Sequence, residues 1–262
     1  MRVPLACCLF TVAYYLLSCS PNNVKVDNSL KKIFDENNVT GTFAVWNNAT
    51  GEITVYDLNK YKKGLCSPGS SFDIITALAG LQSGKISNDS MKIDDGYEGL
   101  TMYDAFRVSY TPYFREVARR VGKDTMQRWL DSLYGGSKKI TSRIDTFWMD
   151  NSFKVVPDQQ LGLMQKLYFK KLPFFKPYEE MVTRAMLMED NSNYKLSYKI
   201  GKAKNENGNP VGWVLGWIEE NKHPYFFVLN FESADKEMDI SAVGTKMLKD
   251  ILKQQGFLEG KM

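Results

Sequence analysis

The stretch Ser67–Ile86 reads SPGSSFDIITALAGLQSGKI and carries the strongest signal for the fold. Its apolar run from Ser70 to Ser83 predicts a buried helix that Gly84 closes. Ser70 stands at the start of that helix. A serine there either caps the first turn or serves as a nucleophile, because the helix dipole favours developing negative charge. Asp73, one turn later, either completes a capping box with Ser70 or acts as a base toward it.

Strand-like and helical patterns surround this helix. Runs of strand character lie near both ends of the chain, at Gly41–Asn47, Glu52–Asp57, Tyr194–Ala203, Val211–Glu219 and Tyr225–Glu232. Helical periodicity marks Lys31–Glu36, Pro112–Val121, Asp124–Leu133, Asp158–Lys170, Tyr178–Met188 and Asp239–Gln255. The order predicts an α/β (α+β) domain over residues 28–262. We expect one antiparallel sheet flanked by helices, with a helical subdomain inserted in the middle.

The composition excludes several classes of protein. The 262 residues include 34 Lys+Arg and 30 Asp+Glu, for a net charge of +4, and 44% are hydrophobic. These values are typical of a globular chain and exclude a disordered one. The charge is too small to indicate a nucleic-acid partner, and none is predicted. Because His223 is the only histidine, the sequence favours a carboxylate or lysine base, and we expect no metal site and no cofactor.

The N-terminal residues are typical of an export signal rather than of a folded element. Arg2 precedes the apolar run Val3–Leu17, and residues 1–18 are predicted to be a signal peptide. The run ends in Leu-Leu-Ser-Cys19, which resembles a bacterial lipobox, so Cys19 is expected to carry lipid and residues 19–27 to form a tether. This places the protein in the bacterial cell envelope, lipid-anchored at the periplasmic face or in the outer membrane. The alternative is an ordinary signal peptide cleaved nearby.

Several further segments carry motifs in a fixed order along the chain. They are Ser67–Ile86, Ser109–Gly122, Tyr134–Gly136, Asp145–Pro173, Lys199–Gly201, Val211–Glu219 and Tyr225–Asn230. In order and spacing they resemble the class D serine β-lactamases, which have the penicillin-binding, transpeptidase-like fold. The resemblance spans roughly residues 24–258. It implies a helical subdomain beside an antiparallel sheet, with the active site between them.

The resemblance implies roles for the residues at the helix start. Ser70 falls on the family's nucleophile. Asp73 falls where the family has a lysine, whose carbamylated side chain is the general base. Asp73 has no amine to carbamylate. Its side chain is also several ångströms shorter than a carbamylated lysine. It therefore reaches Ser70 only by a short contact or through a water.

Two further positions match motif residues of the family. Ser109 corresponds to the serine that passes a proton to the leaving nitrogen. Its alternative role is to cap the helix that begins near Pro112. Lys199 corresponds to the lysine of the Lys-Thr-Gly motif, and its alternative is a solvated charge on a strand. These residues, with Ser70, are the predicted catalytic group.

The resemblance also implies substrate-binding positions. Lys202 would offer its backbone N–H, beside that of Ser70, to a developing oxyanion, and Gly201 precedes it in the motif. Trp148 matches the tryptophan that holds the carbamylated lysine, and its alternative is core packing. The family's carboxylate anchors are missing, because Ile200 replaces a hydroxyl residue and no arginine lies near Val243–Gly244. Lys246 is a candidate for part of that role.

Three functions follow from this pattern. The first is a catalytically degenerate relative that binds a peptide, glycan or protein. The second is a serine acyl-transfer enzyme, such as a β-lactam hydrolase, that uses Ser70 with a base foreign to the family. The third is a slow penicillin binder that acylates without deacylating. The expected partners are a β-lactam or a cell-wall peptide, together with the membrane through the lipid anchor.

Overall fold

A computed structural model describes residues 23–93 and 99–261 of the chain. The predicted signal peptide and Cys19 lie outside these residues. A seven-stranded sheet in the order β1-β3-β2-β7-β6-β5-β4 forms the centre of the molecule. The strands are β1 Val24–Val26, β2 Val39–Asn47, β3 Ile53–Tyr56, β4 Leu187–Asp190, β5 Tyr194–Lys204, β6 Pro210–Glu220 and β7 His223–Ser233.

Helices cover both faces of this sheet. They are α1 Lys31–Glu36, α2 Leu58–Lys63, α3 Asp73–Gln82, α4 Met102–Arg107, α5 Thr111–Val121, α6 Lys123–Tyr134, α7 Pro157–Tyr168, α8 Lys176–Met186 and α9 Ile240–Gln254. Helices α1 and α9 pack on one face, and α2 and α7 pack on the other. Helices α3 to α6 and α8 build the helical subdomain around the buried α3. The predicted α/β (α+β) architecture is confirmed.

The sheet is antiparallel apart from one edge. Strand β1 pairs in parallel with β3, and the other strand pairs are antiparallel. The predicted tether 19–27 is therefore wrong in its last residues. Val24–Val26 belongs to the sheet, and the Asp27 side chain accepts a hydrogen bond from the Ser29 N–H at 2.9 Å. The folded domain thus begins by Val24 rather than at residue 28.

Strand β5 positions the site because its two faces meet different layers. Leu196 and Tyr198 point toward the core formed with α9, whereas Lys199 and Gly201 point toward the helical subdomain. This alternation is the ordinary period of a strand. Strand β4 pairs with residues 195–197 of β5, and the second half of β5 lies beside the 3-10 turn Gly69–Phe72 that precedes α3.

The helix α3 is apolar on every side. Its residues from Asp73 to Leu81 are all buried, as expected for a helix enclosed by other helices. Val117 of α5 and Ile86 pack so closely on Gly80 that an added Cβ would lie 2.7 Å from a Val117 methyl group. Within the described residues, no helix is long and apolar enough to cross a membrane.

Candidate active site

Ser70 lies in a short 3-10 turn, Gly69–Phe72, that leads into α3. Its side chain is buried, and its Oγ accepts a hydrogen bond of 3.0 Å from the backbone N–H of Lys202. Helix α3 has Phe72 at its N-cap position, and no side chain caps it. The capping-box interpretation of Ser70 and Asp73 is therefore wrong, because the two side chains have other partners.

Close backbone packing brings the turn and strand β5 together. A Cβ on Gly201 would lie 2.7 Å from the Ser71 Cβ, so only glycine allows this approach. Gly69 has a φ of +53°, and a Cβ there would collide with the Lys202 carbonyl oxygen. The carbonyl of Trp148 accepts hydrogen bonds from the Gly69 N–H at 2.9 Å and the Ser67 hydroxyl at 2.6 Å. The turn is thereby held from both sides.

Lys199 is the polar centre of the site. Its side chain is only 1% exposed, and its Nζ lies 3.0 Å from Asp73 Oδ2, whose side chain is equally buried. The ammonium also donates hydrogen bonds to the Phe106 carbonyl at 2.6 Å and to Ser109 Oγ at 2.8 Å. It lies 4.5 Å from the centre of the Phe106 ring. The alternative that Lys199 is a solvated strand charge is wrong, because the side chain points inward to a buried carboxylate.

Ser109 joins the same group of side chains. Its Oγ accepts the hydrogen bond from Lys199 and lies 3.2 Å from the Ile200 carbonyl, to which it can donate. Helix α5 begins at Thr111, with Tyr110 at the N-cap position and no side-chain cap, so the capping alternative for Ser109 is wrong. Ser109 has a φ of +53°, a left-handed conformation that costs a non-glycine residue about 1 kcal/mol or more.

Burial shifts the pKa values of Asp73 and Lys199 in the directions that favour their uncharged forms. Desolvation raises the pKa of Asp73 to about 6, although the Lys199 charge opposes the shift. Desolvation also lowers the pKa of Lys199, and Asp73 opposes that shift. The two groups titrate as one pair, because each depends on the charge of the other. The pair carries no net charge when both groups are ionised.

Trp148 lies beneath this turn. It is completely buried and stacks on Phe72, with ring centroids 5.4 Å apart. Its Nε1 has no hydrogen-bond partner among the described protein atoms. Trp148 thus packs the core and does not line the site surface, which agrees with the core-packing alternative. Its loop is fixed by the buried Asp145, whose carboxylate pairs with Arg115, Arg119 and Arg143 at 2.8–3.2 Å.

The positions of the family's carboxylate anchors are apolar. Ile200 and Val243 are partly buried and pack against the core between the sheet and α9. Lys246 lies elsewhere, since its ammonium pairs with Asp250 at 3.0 Å and contacts Asn37 at 3.3 Å. These contacts give its candidate role in carboxylate binding no support, and that role stays a prediction.

Sequence reasoning did not find two features of the site. The Asp73–Lys199 pair joins residues 126 positions apart, and the sequence pattern gave each of them a separate local explanation. The Phe106 carbonyl is a backbone acceptor at the end of α4, and no side-chain motif marks it. The opposite charges of Asp73 and Lys199 were the available signal for their pairing, because a buried cation requires a nearby anion.

The fold and site define the class of protein. Residues 31–253 match the family described as the penicillin-binding protein transpeptidase domain. The chain belongs to this family, and its fold is that of the class D β-lactamases.

Individual relatives agree with this class. The probable β-lactamase YbxI of Bacillus subtilis is 30% identical over 228 residues, which cover 83% of this chain and 82% of the relative. β-Lactamase OXA-10 of Pseudomonas aeruginosa is 28% identical, with 95% and 98% covered. The crystal structure of FUS-1 (OXA-85), a class D β-lactamase from Fusobacterium nucleatum subsp. polymorphum, has a TM-score of 0.81 and 28% identity. It covers 89% of this chain and all of that one. The regulatory protein BlaR1 of Bacillus licheniformis is 26% identical over 80% of this chain, but the match covers only 36% of that protein.

Proposed function

We propose that this protein recognises a β-lactam or cell-wall peptide at Ser70 and does not hydrolyse it efficiently. The observation that carries the proposal is the buried ion pair between Asp73 and Lys199. In class D enzymes the residue at the position of Asp73 is a lysine, and its carbamylated side chain acts as the general base. Here the residue at that position is an aspartate that pairs with the lysine of the third motif.

The hydrogen bonds of the site leave Ser70 without a base. Its Oγ receives the Lys202 N–H, and it forms no hydrogen bond with Asp73, Lys199 or Ser109 in the described part of the chain. A general base must lie within about 3 Å of the proton it removes, or act through one water. The Lys199 ammonium already contacts three acceptors. A protonated lysine has no lone pair with which to accept a proton.

Asp73 nevertheless preserves the charge of the family's site. A carbamylated lysine is negative and balances the cation of the third motif, and Asp73 is negative without any modification. An unmodified lysine at this position would instead place two ammonium groups side by side. This charge balance explains why an acidic residue is accommodated at the buried position 73. It also makes the charge of the site independent of carbon dioxide.

The apolar anchor positions support weak turnover as well. Ile200 cannot donate a hydrogen bond, and Val243 offers no charge. Each lost contact to the transition state costs an enzyme a few kcal/mol of barrier lowering. A substrate carboxylate at these positions would be poorly held.

The alternative function is slow serine acyl transfer, and one observation favours it. Lys199 lies 2.8 Å from Ser109, and the Lys202 N–H is already at the position of an oxyanion donor. Because burial lowers the pKa of Lys199, alkaline pH would yield a neutral amine that could accept a proton through Ser109. Acylation would then rise with pH, and the acyl-enzyme would persist because no base activates water.

Intact-protein mass spectrometry after incubation with benzylpenicillin tests both functions. We expect either no adduct or a long-lived adduct at Ser70, with Ser70→Ala as the control that carries none. Turnover of a chromogenic cephalosporin should be far below that of an ordinary class D enzyme and unchanged by added bicarbonate. Rapid turnover that Ser70→Ala abolishes would contradict the proposal and establish a hydrolase.

We also propose that the protein is a lipoprotein of the bacterial cell envelope, anchored through Cys19. The support is the sequence Leu16-Leu17-Ser18-Cys19 after an apolar run.

A further inference from the structure

Lys202 is an exposed cation on strand β5, and its backbone forms part of the Ser70 site. Lys202 is exposed, and its own backbone N–H holds Ser70 Oγ at 3.0 Å. No carboxylate of the described residues lies within ion-pair distance of its ammonium. Its charge contributes to lowering the pKa of Lys199, so the ammonium is electrostatically coupled to the site.

Strand geometry relates Lys202 to the missing anchors. Lys202 lies two residues beyond Ile200, so both side chains project from the same face of β5. Two residues along a strand cover about 6.7 Å. The flexible four-carbon stem of a lysine is long enough to return its ammonium across that distance. Lys202 can thus place its positive charge next to the apolar side chains of Ile200 and Val243.

The charge balance inside the site points to the same residue. Asp73 neutralises Lys199, so that ammonium is not free to attract an anion. Lys202 is the nearest cation to Ser70 along β5 without a partner, and Lys204 follows it on the same exposed face.

We propose that the Lys202 side chain binds the carboxylate of the ligand that occupies the Ser70 site. This inference rests on the proposed function and extends it from the backbone N–H of Lys202 to its ammonium. It identifies the ligand as one with a free carboxylate near the carbonyl that Ser70 faces. A β-lactam acid and a peptide with a free C-terminus share this chemistry.

Matched acid and neutral ligands test the proposal. One pair is benzylpenicillin and its methyl ester, and the other is an N-acylated D-alanyl-D-alanine and its C-terminal amide. Calorimetric titration of the Ser70→Ala protein at low ionic strength measures binding without acylation. We expect the acid of at least one pair to bind about two- to fivefold more tightly than its neutral partner, as for an exposed ion pair, and high salt to reduce the difference.

Substitutions assign the preference to one side chain. In the Ser70→Ala background, Lys202→Gln keeps the backbone N–H and should abolish the preference for the acid, whereas Lys202→Arg should retain it. Lys204→Gln removes the same charge two residues away and serves as the matched control, with the preference unchanged. The pair that shows the preference identifies the source of the carboxylate.

The outcomes separate this inference from the function on which it rests. Equal binding of acid and neutral ligand, or a preference that survives Lys202→Gln, overturns the role of Lys202 and leaves the proposed function standing. Binding of none of the four ligands contradicts both.

Discussion

Replacing Lys199 with methionine isolates the contribution of the buried ion pair. Lys199→Met keeps an unbranched side chain as far as Cε but removes the ammonium that lies 3.0 Å from Asp73 and donates to the Phe106 carbonyl. The carboxylate then loses its cation in a region closed to solvent, whereas the Phe106 carbonyl keeps a hydrogen bond from the Ser109 N–H at 3.3 Å. We expect the free energy of unfolding to fall by about 3 kcal/mol at pH 7, near the lower end for a broken buried ion pair.

The magnitude follows from two losses. The Asp73 pKa is already raised from 3.8 to about 6, and without Lys199 the group would be protonated at pH 7. Moving the pKa from 6 to 7 or above costs about 1.4 kcal/mol for each unit. The Phe106 carbonyl keeps its backbone donor but loses a charged one, and a hydrogen bond to a charged group contributes about 1.5–3 kcal/mol. Replacing both partners, with Asp73→Leu added, should restore stability to the wild-type value or above.

Urea unfolding followed by tryptophan fluorescence measures this effect, because Trp148 and Trp213 are buried. A carboxyl whose pKa is higher in the folded state gains stability as the pH falls through the window between its two values. That window opens near pH 6 in the wild type and at higher pH in Lys199→Met. The deficit at pH 7.5 should therefore shrink by about 1–2 kcal/mol at pH 5.

The matched control is Lys204→Met, which removes an exposed lysine of the same strand and should change stability by no more than about 0.5 kcal/mol. A deficit in Lys199→Met below about 1 kcal/mol, or one that does not vary with pH, would refute the ion-pair reasoning.

Three further experiments test the site and the anchor. Asp73→Lys places two ammonium groups together, so its melting temperature should rise with added bicarbonate, which would carbamylate the new lysine; no rise above that of the wild type would contradict this. Adding Ile200→Thr and Val243→Arg to Asp73→Lys should raise cephalosporin turnover more than the sum of the separate changes, because these groups act as a unit. Position 243 is chosen since a Cβ at buried Gly244 would lie 3.1 Å from a Val214 methyl group. Cys19→Ala should release the protein from membranes and end fatty-acid labelling, and unchanged retention would count against the lipid anchor.

The sequence predicts the elements whose signal is local and long. The prediction of α1 matches the structure at both ends, and the runs of β5, β6 and β7 are right to within about two residues. The elements that were missed are short and depend on neighbours. Strand β1 has three residues and exists through pairing with β3, and α2 starts from Asp57 with a φ of +52°. No periodicity signals either.

The site was predictable as a set of positions and not as a set of interactions. The resemblance located Ser70, Ser109 and Lys199, which the structure brings together with the Lys202 N–H. Local patterns suggested caps for Ser70 and Ser109, because capping needs only the next few residues. The partner of each group is instead supplied by an element far away in the chain, and that choice depends on burial, which a linear pattern does not contain.

If Cys19 carries lipid, the early start of the folded domain limits how far the protein can extend from a bilayer. Strand β1 begins at Val24, five residues after Cys19. A fully extended chain of that length reaches at most about 17 Å, less than half the thickness of a membrane with its headgroups. With lipid on Cys19, the β1 edge would lie almost on the headgroups, and the domain would be confined to a shallow layer above them. Its ligands would then be those that come to the membrane surface, because the short tether would keep the domain from reaching more distant ones.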